Sequence, residues 1–141
     1  MRASISMSDL AEAAKSPLEE LRTTGEKLDP KERDSCAVFG RCVIAAETAL
    51  KMAYKLAAMS AKRSQSLEEE AQIWSDMSQL CDSMIGALKA LKDKFPREGT
   101  PELYELAIDY KLASEKRSSR TVEAIQCQSI PMPEGLFPRT T

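Results

Sequence analysis

The sequence predicts an all-α protein: an antiparallel (up-down) four-helix bundle with one short N-terminal helix, three long helices and an extended Pro-rich C-terminal tail. Three observations predict it. A helix-start signature recurs at Ser16-Pro17-Leu18-Glu19, Asp29-Pro30-Lys31-Glu32, Ser66-Leu67-Glu68-Glu69 and Thr100-Pro101-Glu102-Leu103. Each sets a capping side chain before a helical run. The first three add the Glu of a capping box, and all but the Ser66 signature carry Pro at the first helical position, where its missing N–H costs nothing. Between these starts the apolar residues recur at spacings of three and four, the period of a helix face. Pro96, Pro131, Pro133 and Pro138 then mark where helix cannot continue.

The elements follow in order. Residues 1–15 read as a flexible or weakly helical segment with one turn over Asp9–Lys15, ended at Ser16 because Pro17 pushes that residue out of the α region. Helix α1 is predicted over 17–24 and ends at Gly25, a common residue past a helix C-terminus. Helix α2 is predicted over 30–64, α3 over 67–94 and α4 over 101–126. The bundle domain is thus 16–128, followed by a Pro-rich tail over 129–141. Links of a few residues between α2, α3 and α4 force antiparallel neighbours. Charge placement agrees with the helix dipole. Glu32 and Asp34 open α2 and Lys62 and Arg63 close it; Glu68, Glu69 and Glu70 open α3 and Lys89, Lys92 and Lys94 close it.

Helix α3 has the clearest buried seam. Trp74, Met77, Cys81, Met84, Leu88, Leu91 and Phe95 alternate at spacings of three and four, an a/d pattern for left-handed packing. Helix α2 has a polar stripe of Glu47, Thr48, Lys51, Lys55 and Lys62. Its other face carries small residues, Cys42, Ala46, Ala49, Ala53 and Ser60, flanked by Val38, Val43, Leu50 and Leu56. Such a row lets another helix approach closely, which makes α2 the central helix. In α4 a seam of Leu103, Leu106, Tyr110 and Ala113 is interrupted by Ser114–Arg120 and resumes at Val122 and Ile125, so α4 is read as continuous with a solvated middle.

Composition excludes more functions than it suggests. The chain has 141 residues, no histidine and a net charge of −2, from 20 basic and 22 acidic residues. Without histidine there is no Ser/His or Cys/His catalysis and no usual zinc spacing. The near balance of charge favours neither nucleic acid nor an anionic membrane. No Gly-rich phosphate loop or nucleophile elbow is present, and no metal, cofactor or small-molecule substrate is inferred. Cys36, Cys42, Cys81 and Cys127 form no Cys-x-x-Cys pair, so free thiols and a cytoplasmic location are expected. The apolar stretch Cys42–Ala61 is long enough to span a bilayer, but Glu47, Lys51 and Lys55 line one stripe of it, as in a bundle helix.

Three constellations remain. Glu68-Glu69-Glu70 sits at a helix N-terminus, where carboxylates are stabilising, and Glu47 has Lys51 as a partner one turn on. The basic cluster Lys116, Arg117 and Arg120, joined by Lys62 and Arg63 at one end of the bundle, is a candidate partner-binding patch with no aromatic side chain interleaved. The tail offers Leu136 and Phe137 as candidate docking anchors. The function expected is a non-enzymatic helical protein–protein interaction module, an adaptor, chaperone or regulatory binding protein acting through apolar helix faces. The alternative is a peripheral membrane or nucleic-acid-binding module using 116–120. A protein partner or a second copy, giving a homodimer, is expected because a two-turn α1 covers only about a quarter of the roughly 50 Å of α2.

Overall fold

The computed structural model describes the backbone of residues 7–129 and most side chains in that range. All four elements are helices: α1, Met7–Lys27; α2, Arg33–Lys62; α3, Leu67–Lys94; and α4, Thr100–Ser129. No strand occurs among the described residues. Residues 1–6 and the tail from 130 on, with its Leu136 and Phe137, lie outside them.

Only one of the four start signatures forms a side-chain cap at the expected place. Ser66 Oγ accepts from the Glu69 N–H at 3.1 Å, and Glu69 Oε1 accepts in return from the Gln65 N–H at 2.6 Å, one residue earlier than a capping box requires. At the second signature Asp29 Oδ1 accepts from the Lys31 N–H at 3.0 Å and Asp29 O from the Glu32 N–H at 3.1 Å. That is an Asx turn, and it delays α2 to Arg33, behind an extended Glu32 whose side chain makes no capping bond. Thr100 lies inside α4, fully buried, with its Oγ1 unpartnered. Gly99, at φ 87°, supplies the left-handed turn into α4, and its carbonyl accepts from the Leu103 N–H at 3.0 Å.

The first signature lies within a helix. Helix α1 is a continuous 21-residue element with Pro17 inside it, where the sequence predicts 17–24. A proline in a helix interior costs about 3 kcal/mol. Strong helix formers on both sides, Ala11-Glu12-Ala13-Ala14-Lys15 and Leu18-Glu19-Glu20-Leu21, offset it. The expectation of a two-turn α1 that leaves most of α2 open is corrected accordingly. Gly25 is likewise not a terminator. It is a buried helical residue at a close approach, where an added Cβ would lie 2.6 Å from Leu91 Cδ2 and 2.8 Å from Phe39 Cε1. The C-terminal carbonyls of α1 are satisfied from α3 instead. Lys94 Nζ donates to Gly25 O at 2.6 Å and to Glu26 O at 3.3 Å, placing a cation at the negative end of the helix dipole.

The α3 seam is buried along its whole length, from Trp74 through Met77, Cys81, Met84, Leu88 and Leu91 to Phe95. Facing it are Phe39, Val43, Ala46, Leu50, Ala53, Ala57 and Ala61 of α2 and Leu103 and Ala107 of α4. Phe39 stacks on Phe95 at 4.1 Å between ring centroids. The small residues of α2 do admit close neighbours, and α2 and α3 each contact all three other helices. Helices α3 and α4 share the most extensive packing, and α1 does not contact α4 among the described residues. Helix α4 stays helical through its polar middle, but that middle is not simply solvated. Ser114 and Thr121 are buried on the line of Leu103 and Ala107, while Val122, expected on the seam, is exposed. A heptad step from Ala107 leads to Ser114 and then Thr121, so small polar residues continue the seam.

Candidate functional site

The basic residues of two helices meet at the end of the bundle where α2 turns into α3. Ala58, Ala61, Lys62, Ser64, Glu70, Trp74 and Arg117 line a cleft of about 310 Å³ there. Lys62 belongs to the last turn of α2, where a cation complements the dipole. Ser64 Oγ donates to Ala61 O at 2.7 Å, closing the turn. Glu70 comes from the first turn of α3, and Arg117 reaches in from α4. The Arg117 guanidinium carbon lies 4.9 Å from the centre of the Trp74 ring, a cation–π contact. Neither Lys62 nor Arg117 pairs with a carboxylate among the described residues.

Of the predicted patch, the fold brings Lys62 and Arg117 together. Lys116 and Arg120 are exposed on α4 and Arg63 is the exposed C-cap of α2; none of the three lines the cleft. The expectation that no aromatic residue interleaves the cluster is corrected, since Trp74 does. Sequence spacing places Trp74 on a buried seam and cannot show that a cation from another helix caps its ring. The indole also joins a wider aromatic series. Tyr54 packs on Trp74 at 5.6 Å and stacks on Tyr110 at 4.3 Å, linking α2, α3 and α4.

A second feature is apolar. Ile44, Met52 and Met59 of α2 are exposed to 64%, 53% and 40%, and Leu112 of α4 to 58%. Met52 and Met59 are one heptad apart and share a line along α2, with Ile44 two turns before Met52. The sequence does not single out these side chains, because they interleave with Thr48, Lys51 and Lys55 of the polar stripe.

The remaining candidates are structural. Glu47 Oε2 accepts from Lys51 Nζ at 3.0 Å on a half-exposed surface, and this bond raises the Lys51 pKa. Glu69 serves the α3 cap. Lys111 bridges to Asp82 of α3 at 2.8 Å, which raises its pKa. All four cysteines are free. Burial pushes the Cys81 thiol up to about 12, with Asp82 adding to the shift and Lys111 opposing it. Cys36 is also raised, first by burial and then by Glu98. Such thiols carry little thiolate near neutral pH and are poor nucleophiles. Among the described residues no group of cysteines and carboxylates is placed to hold a metal ion, and no helix is long and apolar enough to cross a membrane.

No protein-family model matches the chain, and no curated protein or solved structure is significantly similar to it.

Proposed function

We propose that this protein is a non-enzymatic helical module for protein–protein contact, an adaptor, chaperone or regulatory binding protein that works through the outward apolar face of α2. The observation that carries this is the exposure of Ile44, Met52 and Met59 on the outer surface of a 30-residue helix, set among Thr48, Lys51 and Lys55. Methionine suits such a surface, since its unbranched, polarizable side chain adapts to different partner shapes. The bundle is taken as antiparallel and up-down. Supporting that course are the pairs Lys92–Tyr104, Asp82–Lys111 and Trp74–Arg117, in which α4 advances as α3 recedes. Phe39–Phe95 and Tyr54–Trp74 run the same way between α2 and α3. The free cysteines favour a reducing compartment, the cytoplasm.

The longer α1 narrows the surface left for a partner, so a homodimer rests on the outer face of α2 rather than on an open groove. The basic cluster is the weaker basis for function. Arg117 is drawn onto Trp74 and Glu70 shares its cleft, which leaves Lys116 and Arg120 as the outward cations of that cluster.

A photo-crosslinker in place of Met52 tests the proposal, with one at exposed Gln79 of α3 as the control. Met52 is expected to give a discrete adduct, with a second copy or a partner, that Met59→Glu abolishes. Equal labelling from both positions, or an adduct indifferent to Met59→Glu, refutes it. Light scattering on the purified chain separates a homodimer from a monomer that needs another protein.

A further inference from the structure

We propose that the cleft between the end of α2, the start of α3 and Arg117 is a binding site for an α-amino carboxylate, either a free amino acid or the C-terminal residue of a peptide. Four features of the cleft lead to this ligand. First, two cations border it: Lys62 and Arg117 come from different helices, both line the cleft, and neither pairs with a carboxylate among the described residues. Second, Arg117 is exposed yet anchored on one side by an aromatic ring. Its guanidinium lies over the Trp74 ring at 4.9 Å, and Trp74 is itself fixed in the core, 1% exposed. A guanidinium lying over an indole face keeps N–H donors free for a carboxylate. Third, Glu70 lines the same space and makes no ion pair with either cation among the described residues. It opposes a dianion or a polyanion, and the neighbouring Glu68 and Glu69 add to that field, which disfavours phosphate and nucleic acid. A carboxylate monoanion is admitted, and a nitrogen donor beside it gives Glu70 a partner. Fourth, Ala58 and Ala61 supply an apolar edge to a mostly polar cleft, and about 310 Å³ holds a small side chain together with its carboxylate.

A free amino acid and a peptide C-terminus share this chemistry and differ at the nitrogen, an ammonium in one and an amide N–H in the other. Only the ammonium depends strongly on the charge of Glu70. The site does not rest on the apolar face of α2, and its failure leaves the function proposed above untouched.

Isothermal titration calorimetry of the full chain with leucine, N-acetyl-leucine, leucinamide and inorganic phosphate tests the site. Trp74, the single tryptophan, gives a second readout, because a ligand that draws on Arg117 alters the field over its ring. Leucine or N-acetyl-leucine is expected to bind saturably while leucinamide, lacking the carboxylate, does not. Arg117→Lys keeps the charge but loses the planar fork, and should weaken binding by about tenfold. Glu70→Gln should weaken leucine and spare N-acetyl-leucine if the ligand is a free amino acid. If the ligand is a peptide C-terminus, N-acetyl-leucine binds more tightly than leucine and Glu70→Gln leaves it unchanged. Heat from neither carboxylate, equal binding of leucinamide, tighter binding of phosphate, or indifference to Arg117→Lys overturns the proposal. Circular dichroism of each variant checks that the helices are intact. Lys62→Gln, which changes no core contact, provides a second test of the cationic pocket and should also weaken binding.

Discussion

Placing the same methyl group at two helical glycines should stabilise the fold at one and not at the other. Gly25 of α1 and Gly86 of α3 both sit in helices without positive φ, so Ala fits either backbone, and in an open position it stabilises a helix by about 1 kcal/mol. At Gly86 an added Cβ meets nothing within 4 Å, and the full gain is expected. At Gly25 the same atom would lie 2.6 Å and 3.0 Å from the two Leu91 methyls and 2.8 Å from Phe39 Cε1. The Leu91 methyls are the flexible end of a side chain and can turn away. Phe39 cannot, since its ring is fully buried and stacked on Phe95 at 4.1 Å. The methyl must therefore push α1 outward, which also lengthens the Lys94 bond to Gly25 O, now 2.6 Å. Overpacking of this kind costs about 1–3 kcal/mol, and subtracting the propensity gain of about 1 kcal/mol leaves Gly25→Ala anywhere from neutral to destabilising by about 2 kcal/mol, against the full gain at Gly86. Urea denaturation followed by circular dichroism measures both variants. If Gly25→Ala stabilises as much as Gly86→Ala, α1 does not pack on Phe39 and Leu91 as described, and Gly25 is an ordinary helix end.

Other outcomes follow from the same core. Trp74→Ala and Leu88→Ala should each cost about 2–5 kcal/mol in chemical denaturation, whereas Lys51→Ala, on a half-exposed pair, should change stability by less than about 0.5 kcal/mol. Lys94→Met keeps the stem and removes the ammonium that serves two α1 carbonyls; hydrogen exchange should then speed up in α1 before any other helix. The alkaline limb of stability carries a sign set by Cys81. Its thiol is held near 12 in the fold against 9.0 ordinarily, so between those values the unfolded chain has released a proton that the folded chain keeps. The contribution of this thiol is complete below about pH 9 and falls above it by at most about 1.4 kcal/mol per pH unit. Tyr110, raised by burial, and Lys111, raised by Asp82, act in the same direction. Cys81→Ala should flatten the slope of denaturation midpoint against pH between 9 and 12; an unchanged slope refutes the assignment.

The all-helical class and the α3 seam were legible in the sequence because they depend on one helix at a time. Seven residues from Trp74 to Phe95 repeat with a period that only a helix face satisfies, and each is buried. The capping signatures were less informative, because a cap competes with other local geometries. Asp29 closes an Asx turn, and Ser16-Pro17 is overrun by the helix formers around it. What the sequence could not show were contacts between helices far apart in the chain. Phe39 on Phe95, Lys94 on the end of α1 and Arg117 on Trp74 each need two elements placed in space. The α4 seam was misread for a related reason. Ser114 and Thr121 look solvent-facing by type, and their burial follows from the neighbours that α3 brings to them. Of the candidate site, the cations Lys62 and Arg117 were visible as charge, but the indole beneath Arg117 was visible only as core.

The unequal sharing of contacts sets an order of opening. Helices α3 and α4 hold each other over the largest surface, α2 lies against both, and among the described residues α1 touches only α2 and α3. Detaching α1 breaks its contacts with two helices and leaves the other three joined, so it is the excursion of lowest free energy that exposes a whole element. Amide protection should rise stepwise from α1 to the α3–α4 pair, and limited proteolysis under native conditions should cut first around Leu28–Glu32. A fragment beginning at Arg33 would then retain Trp74, Tyr54 and the Arg117 cleft while losing the cover over Phe39 and Leu91. Such a chain would report, through the growth of exposed apolar surface alone, what α1 conceals.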